Sequence, residues 1–317
     1  MICQMYPIKR ISHSEFVPVR TLCYHVRCWG EPGAGKTPLV LLHGWMDVAA
    51  SYQFVVDALT QDHFIIAPDW RGFGLTPSGG ADSFWFPDYL ADLDALLDHY
   101  APGQCVNLVG HSMGGNVAML YAGLRPERIR RLVNLEGFGL PDTVPAQAPG
   151  RLTQWMNEVR QFHQGTLNLK TYDSLDAVAA RLAKNNRYLS MDKARWLASH
   201  WSAEITPGQW TILGEAAHKI TSAQLYRVDE VLAIYRLISA PTLMVEAADD
   251  SMTAWWRGQF TLAQHHDRLK SVAQVETVTV PDCGHMLHHD QPQAVAALIE
   301  RFLSQKISGI QDLTVVG

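Results

Sequence analysis

A serine between two glycines is the first candidate for chemistry in this chain. The pentapeptide 110–114 reads Gly-His-Ser-Met-Gly; the apolar run 105–109 precedes it, and a stretch of small residues with helical spacing, 114–124, follows. A serine in a sharp turn between a strand and a helix needs neighbours without a Cβ atom, so that the chain can close around it. The hydroxyl of Ser112 would then project above the sheet as a nucleophile.

A serine hydroxyl needs a general base, and the best candidate is His285. This histidine follows the predicted strand 275–280, on a loop at the same edge of the sheet as the serine. His288 and His289 are less favoured as the base because they come just before the last predicted helix. Although His285 and His289 are four residues apart, no third ligand accompanies them, so we expect no metal site.

Three carboxylates are candidates for the acid that orients this base. Asp250 is preferred, because the chain leaves a predicted strand just before it and its carboxylate could reach Nδ1 of His285. Asp249 is either a solvated neighbour or the acid itself. Glu136 directly follows another predicted strand, so it also lies at this edge and could orient the same histidine.

Acyl transfer further needs two N–H groups that point at the developing oxyanion. Met113, the residue after the serine, offers one backbone N–H. We expect the second from Trp45, which follows the predicted strand 38–42. Gly44 stands next to it and permits a close approach of the loop to the reacting atoms.

The segment 30–37 raises the possibility of a nucleotide site. Its sequence Gly-Glu-Pro-Gly-Ala-Gly-Lys-Thr fits the template G-x-x-x-x-G-K-[ST], which binds phosphates when the loop runs into the N-terminus of a helix. Here Pro38 and the apolar run 39–42 predict a strand instead. We interpret the segment as a turn between two strands and expect no ATPase.

The order of the predicted elements indicates an α/β protein with a mostly parallel central sheet wrapped by helices. Strands are predicted at 14–19, 22–29, 38–42, 64–67, 105–109, 129–135, 242–246 and 275–280, and helices at 89–100, 114–124 and around 295–303. Between 139 and 239 the strand signal nearly vanishes, which predicts an inserted helical cap. We therefore divide the chain into a first core part (1–138), the cap (139–239), a second core part (240–303) and a C-terminal tail (304–317).

Composition limits the classes of partner. The 317 residues carry a formal net charge of -5 and no long basic run, which argues against nucleic acid and anionic membranes as partners. Five scattered cysteines without a Cys-x-x-Cys pair favour a reducing compartment. No signal-like start and no apolar stretch of about 18 residues occurs. We expect a cytoplasmic protein; the sequence does not indicate an oligomeric state.

Four motifs together resemble the α/β-hydrolase superfamily, and the resemblance runs from about residue 16 to residue 303. They are Leu-His-Gly-Trp (42–45), Asp-Trp-Arg-Gly-Phe-Gly (69–74), the turn at Ser112 and Asp-Cys-Gly-His (282–285). The segment 43–55 looks most like the serine-hydrolase-like branch, near the carboxylesterases and carbon–carbon bond hydrolases.

This resemblance implies a cofactor-free serine hydrolase that cleaves small carboxylic esters through an acyl-enzyme. An alternative is hydrolysis of a carbon–carbon bond in a meta-cleavage-type diketone; a cofactor-free dioxygenase and a hydrolase-fold binding protein are less favoured. The superfamily's usual Gly-x-x-Asp acid turn is here Ala-Ala-Asp-Asp (247–250), so the resemblance does not decide which of the two aspartates is the acid. Glu136 stands where some haloalkane dehalogenases carry their acid, but those relatives use an aspartate nucleophile, so Ser112 argues against dehalogenation.

Overall fold

The computed structural model describes residues 5–305, and its strands form one large and one small sheet. The strands are β1 (His13–Val19), β2 (Leu22–Trp29), β3 (Leu39–Leu42), β4 (Ile65–Pro68), β5 (Val106–His111), β6 (Ile129–Leu135), β7 (Thr171–Tyr172), β8 (Ser202–Thr206), β9 (Gln209–Ile212), β10 (Thr242–Ala247) and β11 (Val275–Val280). The helices are α1 (Gln53–Ala58), α2 (Phe86–Tyr100), α3 (Met113–Leu124), α4 (Ala148–His163), α5 (Leu175–Asn185), α6 (Met191–Trp201), α7 (Val228–Tyr235), α8 (Ser251–Trp256), α9 (Leu262–Leu269), α10 (Leu287–Asp290) and α11 (Pro292–Ser304).

The large sheet has eight strands in the order β1-β2-β4-β3-β5-β6-β10-β11. β2 pairs antiparallel with β1 and with β4, and all the other pairs are parallel. The expected mostly parallel sheet is therefore confirmed. The carboxyl ends of β3, β5, β6, β10 and β11 meet at one edge, which is where open α/β sheets bind their ligands.

Both faces of the sheet are covered, which explains why its inner strands are continuous apolar runs. All residues of β3, β4, β5 and β10 are buried. One apolar layer joins the sheet to α2 and α3 through residues such as Leu93 and Val117. The other joins it to α1 and α11 through residues such as Val56 and Ile299. The strands are thus held rigidly beneath the loops at the carboxyl edge.

The phosphate-loop-like segment is a turn between β2 and β3, as the sequence indicates. The backbone N–H of Lys36 donates to the carbonyl of Gly33 at 3.0 Å. The chain then enters β3 at Leu39, so no helix N-terminus follows the glycines.

The segment between β6 and β10 corresponds to the predicted cap but is not purely helical. It contains α4 to α7, and β7, β9 and β8 form a three-stranded antiparallel sheet within it. The expectation that strands nearly vanish here is therefore wrong, because short polar strands become stable by pairing with one another. The segment also pairs with the core, where the N–H of Gly74 donates to the carbonyl of Leu213 at 2.9 Å.

Within the described residues, no helix is both long and apolar enough to cross a membrane. The predicted tail 304–317 lies outside the described residues apart from its first two positions.

Candidate active site

Ser112 lies in the turn between β5 and α3, with a backbone conformation that is rare for a side-chain-bearing residue. Its φ is 52° and its ψ is -115°. The N–H of Ser112 donates to the carbonyl of Leu135 at 2.8 Å, which holds the turn against the end of β6. A Cβ atom on Gly110 would lie 2.3 Å from the carbonyl oxygen of Gly114, so the turn closes only around glycine. This is the geometry of a nucleophile elbow.

The loop after β3 passes directly over this serine. A Cβ atom on Gly44 would lie 3.2 Å from Cβ of Ser112 and 2.9 Å from Nδ1 of His111, so only glycine lets the loop approach this closely. Among the described residues, the backbone N–H groups of Trp45 and Met113 have no hydrogen-bond acceptor. Both candidate donors for the oxyanion are therefore free to bind a substrate oxygen.

His285 lies on the loop after β11, and Glu136 is the carboxylate that contacts it. Nδ1 of His285 is 3.1 Å from Oε2 of Glu136. Because a carboxylate only accepts, Nδ1 carries the proton in this pair, and Nε2 of a neutral ring is then unprotonated. The backbone carbonyl of His285 accepts a hydrogen bond from Nε2 of His111 at 2.7 Å. The ring of Trp255 packs edge-on against His285 at 4.1 Å.

Glu136 is held by its surroundings. Its side chain is 1% exposed, and its backbone φ is 58°. Oε1 accepts the N–H of Ala247 at 2.7 Å, and Oε2 also accepts the hydroxyl of Ser251 at 2.9 Å. The side chain of Asn134 braces the turn through hydrogen bonds to both backbone groups of Gly137, each 2.8 Å long. The carboxylate thus crosses from β6 toward β10 and points at the imidazole.

The expectation that Asp250 reaches Nδ1 of His285 is wrong. Its carboxylate caps α8, where it accepts the backbone N–H of Thr253 at 2.9 Å and its hydroxyl at 2.5 Å. These hydrogen bonds lower the pKa of Asp250. Asp249 is also engaged elsewhere, since Oδ2 pairs with Arg187 at 2.8 Å. Glu136, the third sequence candidate, is the carboxylate brought to the histidine.

Ser112 follows β5 and His285 lies on the loop after β11, so both are at the same edge of the sheet. His111, the neighbour of Ser112, packs its ring 4.8 Å from the ring of His285. Among the described residues no hydrogen bond joins the serine hydroxyl to the imidazole. Such hydrogen bonds are often long without substrate and shorten in the reacting complex.

His111 is a positioning group that sequence reasoning did not single out. It is buried, and this burial, followed by the neighbouring rings of His288 and His285, holds its pKa well below the ordinary value. A neutral ring that donates Nε2–H to the backbone of His285 leaves Nδ1 without a proton. Its position inside the pentapeptide was the only signal in the sequence.

His288 and His289, the less favoured bases, lie beneath the site. Both are buried, and Nε2 of His289 is 2.8 Å from the hydroxyl of Ser51. Ser51 in turn donates to Oδ1 of Asp47. Nε2 of His288 lies 3.7 Å from Oδ2 of the same carboxylate. They therefore form a buried cluster with Asp47 and Ser51, and the ring of His288 lies 4.2 Å from that of His111.

Comparison with known proteins agrees with this architecture. A family model described as alpha/beta hydrolase fold matches residues 37–292. A serine hydrolase-like protein of Danio rerio is 27% identical over 303 residues, covering 93% of this chain and 89% of that protein. A cis-3-alkyl-4-alkyloxetan-2-one decarboxylase of Shewanella oneidensis is 27% identical over 286 residues, covering 86% and 83%. The solved structure of a hypothetical protein of Pseudomonas aeruginosa has a TM-score of 0.79 at 25% identity, covering 93% and 99%.

Proposed function

Because the chain belongs to the α/β-hydrolase fold family, we propose that this hydrolase cleaves carboxylic esters with Ser112 as nucleophile, His285 as base and Glu136 as the orienting acid. The observation that carries the proposal is the contact between Glu136 and Nδ1 of His285 at the strand edge that also holds the serine elbow. Asp250 and Asp249 are left out of the triad, because both carboxylates have other partners.

The proposed reaction has two halves. The hydroxyl of Ser112 attacks the ester carbonyl while Nε2 of His285 takes its proton; the proton then passes to the departing alcohol, which leaves an acyl-enzyme. A water molecule, deprotonated by the same nitrogen, attacks the acyl group; the proton then passes from His285 to the oxygen of Ser112 as its bond to the acyl group breaks and the acid is released. Glu136 stays ionised throughout and stabilises the imidazolium that forms in each half.

The oxyanion of both tetrahedral intermediates would be bound by the N–H groups of Trp45 and Met113. Two observations support this assignment. The donors are free among the described residues, and Gly44 brings the Trp45 loop into contact with the serine side chain. One such donor contributes about 3 kcal/mol to transition-state stabilisation.

The test is fluorophosphonate labelling with intact-mass detection, together with turnover of p-nitrophenyl esters of increasing chain length. We expect a single adduct and ester turnover in the wild type, and neither in Ser112→Ala. Ser190→Ala is the matched control, because Ser190 is exposed and its side chain caps no helix N–H. Equal turnover in Ser112→Ala would refute the proposal.

The substrate panel separates esters from the other chemistries. It includes a vinylogous diketone and a cis-3-alkyl-4-alkyloxetan-2-one, with release of carbon dioxide followed for the latter. Labelling at Ser112 without turnover of any ester, but with cleavage of the diketone, would assign carbon–carbon bond hydrolysis. If Ser112→Ala still releases carbon dioxide from the oxetanone, Ser112 is not needed for that reaction.

A further inference from the structure

A buried cluster beneath the active site joins two of its loops. Asp47 lies on the loop after β3, two positions beyond Trp45, whereas His288 and His289 belong to α10, just after His285. All three residues are at least 95% buried, and one ligand atom from each lies within 4.8 Å of the other two.

Several polar atoms of this cluster have no hydrogen-bond partner among the described residues. Oδ2 of Asp47 and both ring nitrogens of His288 are buried without a hydrogen-bond partner among the described residues. A buried polar atom without a partner costs about 1–3 kcal/mol, so three of them at one place call for a further ligand. Ser51 satisfies only Oδ1 of Asp47 and Nε2 of His289.

The distance between His288 and Asp47 suits a shared metal ion better than a direct hydrogen bond. Nε2 of His288 and Oδ2 of Asp47 are 3.7 Å apart, too far for a hydrogen bond. Two ligands bound at about 2.0–2.2 Å in a tetrahedral zinc site are about 3.4 Å apart, so this pair needs to contract by only a few tenths of an ångström.

We propose that Asp47, His288 and His289 bind a divalent transition-metal ion of the zinc class, with the hydroxyl of Ser51 as the fourth ligand or its close neighbour. One carboxylate and two imidazoles form a donor set that zinc accepts, whereas magnesium and calcium require oxygen ligands. With Ser51 as the fourth ligand the protein would close the coordination sphere, as in a structural site, whereas three protein ligands alone would leave one position open. The ion links the Trp45 loop to the helix that follows His285.

Burial determines how the site must be tested. Because the donor atoms are covered, the ion enters during folding or through local opening, so metal is supplied in the growth medium and not only to the purified protein. The full chain is purified without a histidine tag from zinc-supplemented and from cobalt-supplemented cultures. Metal content is measured by mass spectrometry, and the cobalt protein is examined for the strong visible absorption of four-coordinate Co(II).

We expect one ion per chain, the four-coordinate cobalt spectrum, and a melting temperature that falls when the ion is removed by a chelator under mild denaturant. His288→Asn and His289→Asn should lose the ion and the spectrum. His265→Asn is the matched control, because His265 is equally buried, also leaves both ring nitrogens unpartnered among the described residues, and lies on α9 outside the cluster.

Two results would overturn the proposal. Wild-type protein that contains no ion from either culture and shows no cobalt spectrum would leave Asp47 and the two histidines as an ordinary polar network. An ion that is retained by folded His288→Asn and His289→Asn but lost in His13→Asn would belong to the group formed by His13, Glu15 and Cys28. Circular dichroism of each variant separates loss of the ion from loss of the fold.

Discussion

Replacement of Glu136 by glutamine is the sharpest test of the proposed triad. The carboxylate accepts three hydrogen bonds, from Ala247, Ser251 and His285, at 2.7 to 3.1 Å. A glutamine has nearly the same shape but carries an NH₂ group in place of one oxygen. If its carbonyl keeps the N–H of Ala247, the NH₂ group faces His285 and can only donate.

The consequence for His285 is a change of tautomer. Nδ1 would then have to accept, so the proton of a neutral ring moves to Nε2, where it blocks proton transfer from Ser112. The equivalent Asp-to-Asn change in a serine protease triad lowers kcat by about 10⁴, which corresponds to about 5 kcal/mol of transition-state stabilisation. We expect a loss of this size in Glu136→Gln with little change in KM, because Glu136 is buried behind the histidine and does not face the substrate.

The assay compares three amide variants under the same conditions. Steady-state kcat and KM for the best p-nitrophenyl ester are measured for Glu136→Gln, Asp250→Asn and Asp249→Asn. Asparagine caps a helix about as well as aspartate, so Asp250→Asn should stay within a few-fold of wild type. Asp249→Asn removes only a half-exposed ion pair with Arg187, which typically contributes less than about 1 kcal/mol. A larger loss of kcat in Asp250→Asn than in Glu136→Gln would refute the assignment of the acid.

Three further predictions follow from single positions. Gly44→Ala should lower kcat by about 10²–10³, because its Cβ would lie 2.9 Å from Nδ1 of His111 and displace the Trp45 donor; an unchanged kcat for the same esters would contradict this. Burial, and then the charge of His266, lower the pKa of His265 to about 3. Between pH 6.5 and pH 3 the unfolded chain therefore binds more protons than the folded one, so the free energy of unfolding decreases as the pH is lowered through this range. His265→Leu should therefore show a shallower fall in urea unfolding free energy from pH 7 to pH 4.5, and parallel curves would contradict the argument. Mg-ATP should not raise the melting temperature of the wild type. A rise that is absent in Lys36→Ala would show that the segment 30–37 binds nucleotide.

Most of the large sheet could be predicted because its inner strands are buried on both faces. β6 has the bounds that the sequence predicts, and β3 and β10 differ by one residue. The edge strand β11 also has its predicted bounds, although most of its residues are half-buried or exposed. Continuous apolar runs are a strong signal when a strand is covered by helices on both sides. The short strands β7 to β9 lack such a run, because all their residues except Ser202 are half-exposed or exposed, and they are stabilised by pairing with each other.

Short helices were missed for a related reason. α1 has only six residues, too few for a helical period to be visible. The start of α9, in contrast, is marked by a capping box. The side chain of Thr261 accepts the backbone N–H of Gln264, and the side chain of Gln264 accepts the backbone N–H of Thr261. That pattern of residue types could have located the start of the helix from the sequence.

The acid cannot be identified from a local sequence pattern, because it depends on which carboxylate the fold brings to His285. Ser112 and His285 are positioned by their own turns, and motifs are sufficient to find them. Glu136 and Asp250, in contrast, follow neighbouring strands that end at the same edge, so both are within plausible reach. The Asp-Ser-Met-Thr sequence at 250–253 indicated a helix cap, and the structure places Asp250 in that role.

The backbone of Ser112 has an evolutionary consequence. At φ 52° and ψ -115° the chain prefers glycine, and a side-chain-bearing residue there costs of order 1–3 kcal/mol. Selection for catalysis and selection for stability therefore act in opposite directions at this one position. In descendants of this protein that no longer need the reaction, a glycine at position 112 is the substitution that drift toward a more stable fold should favour.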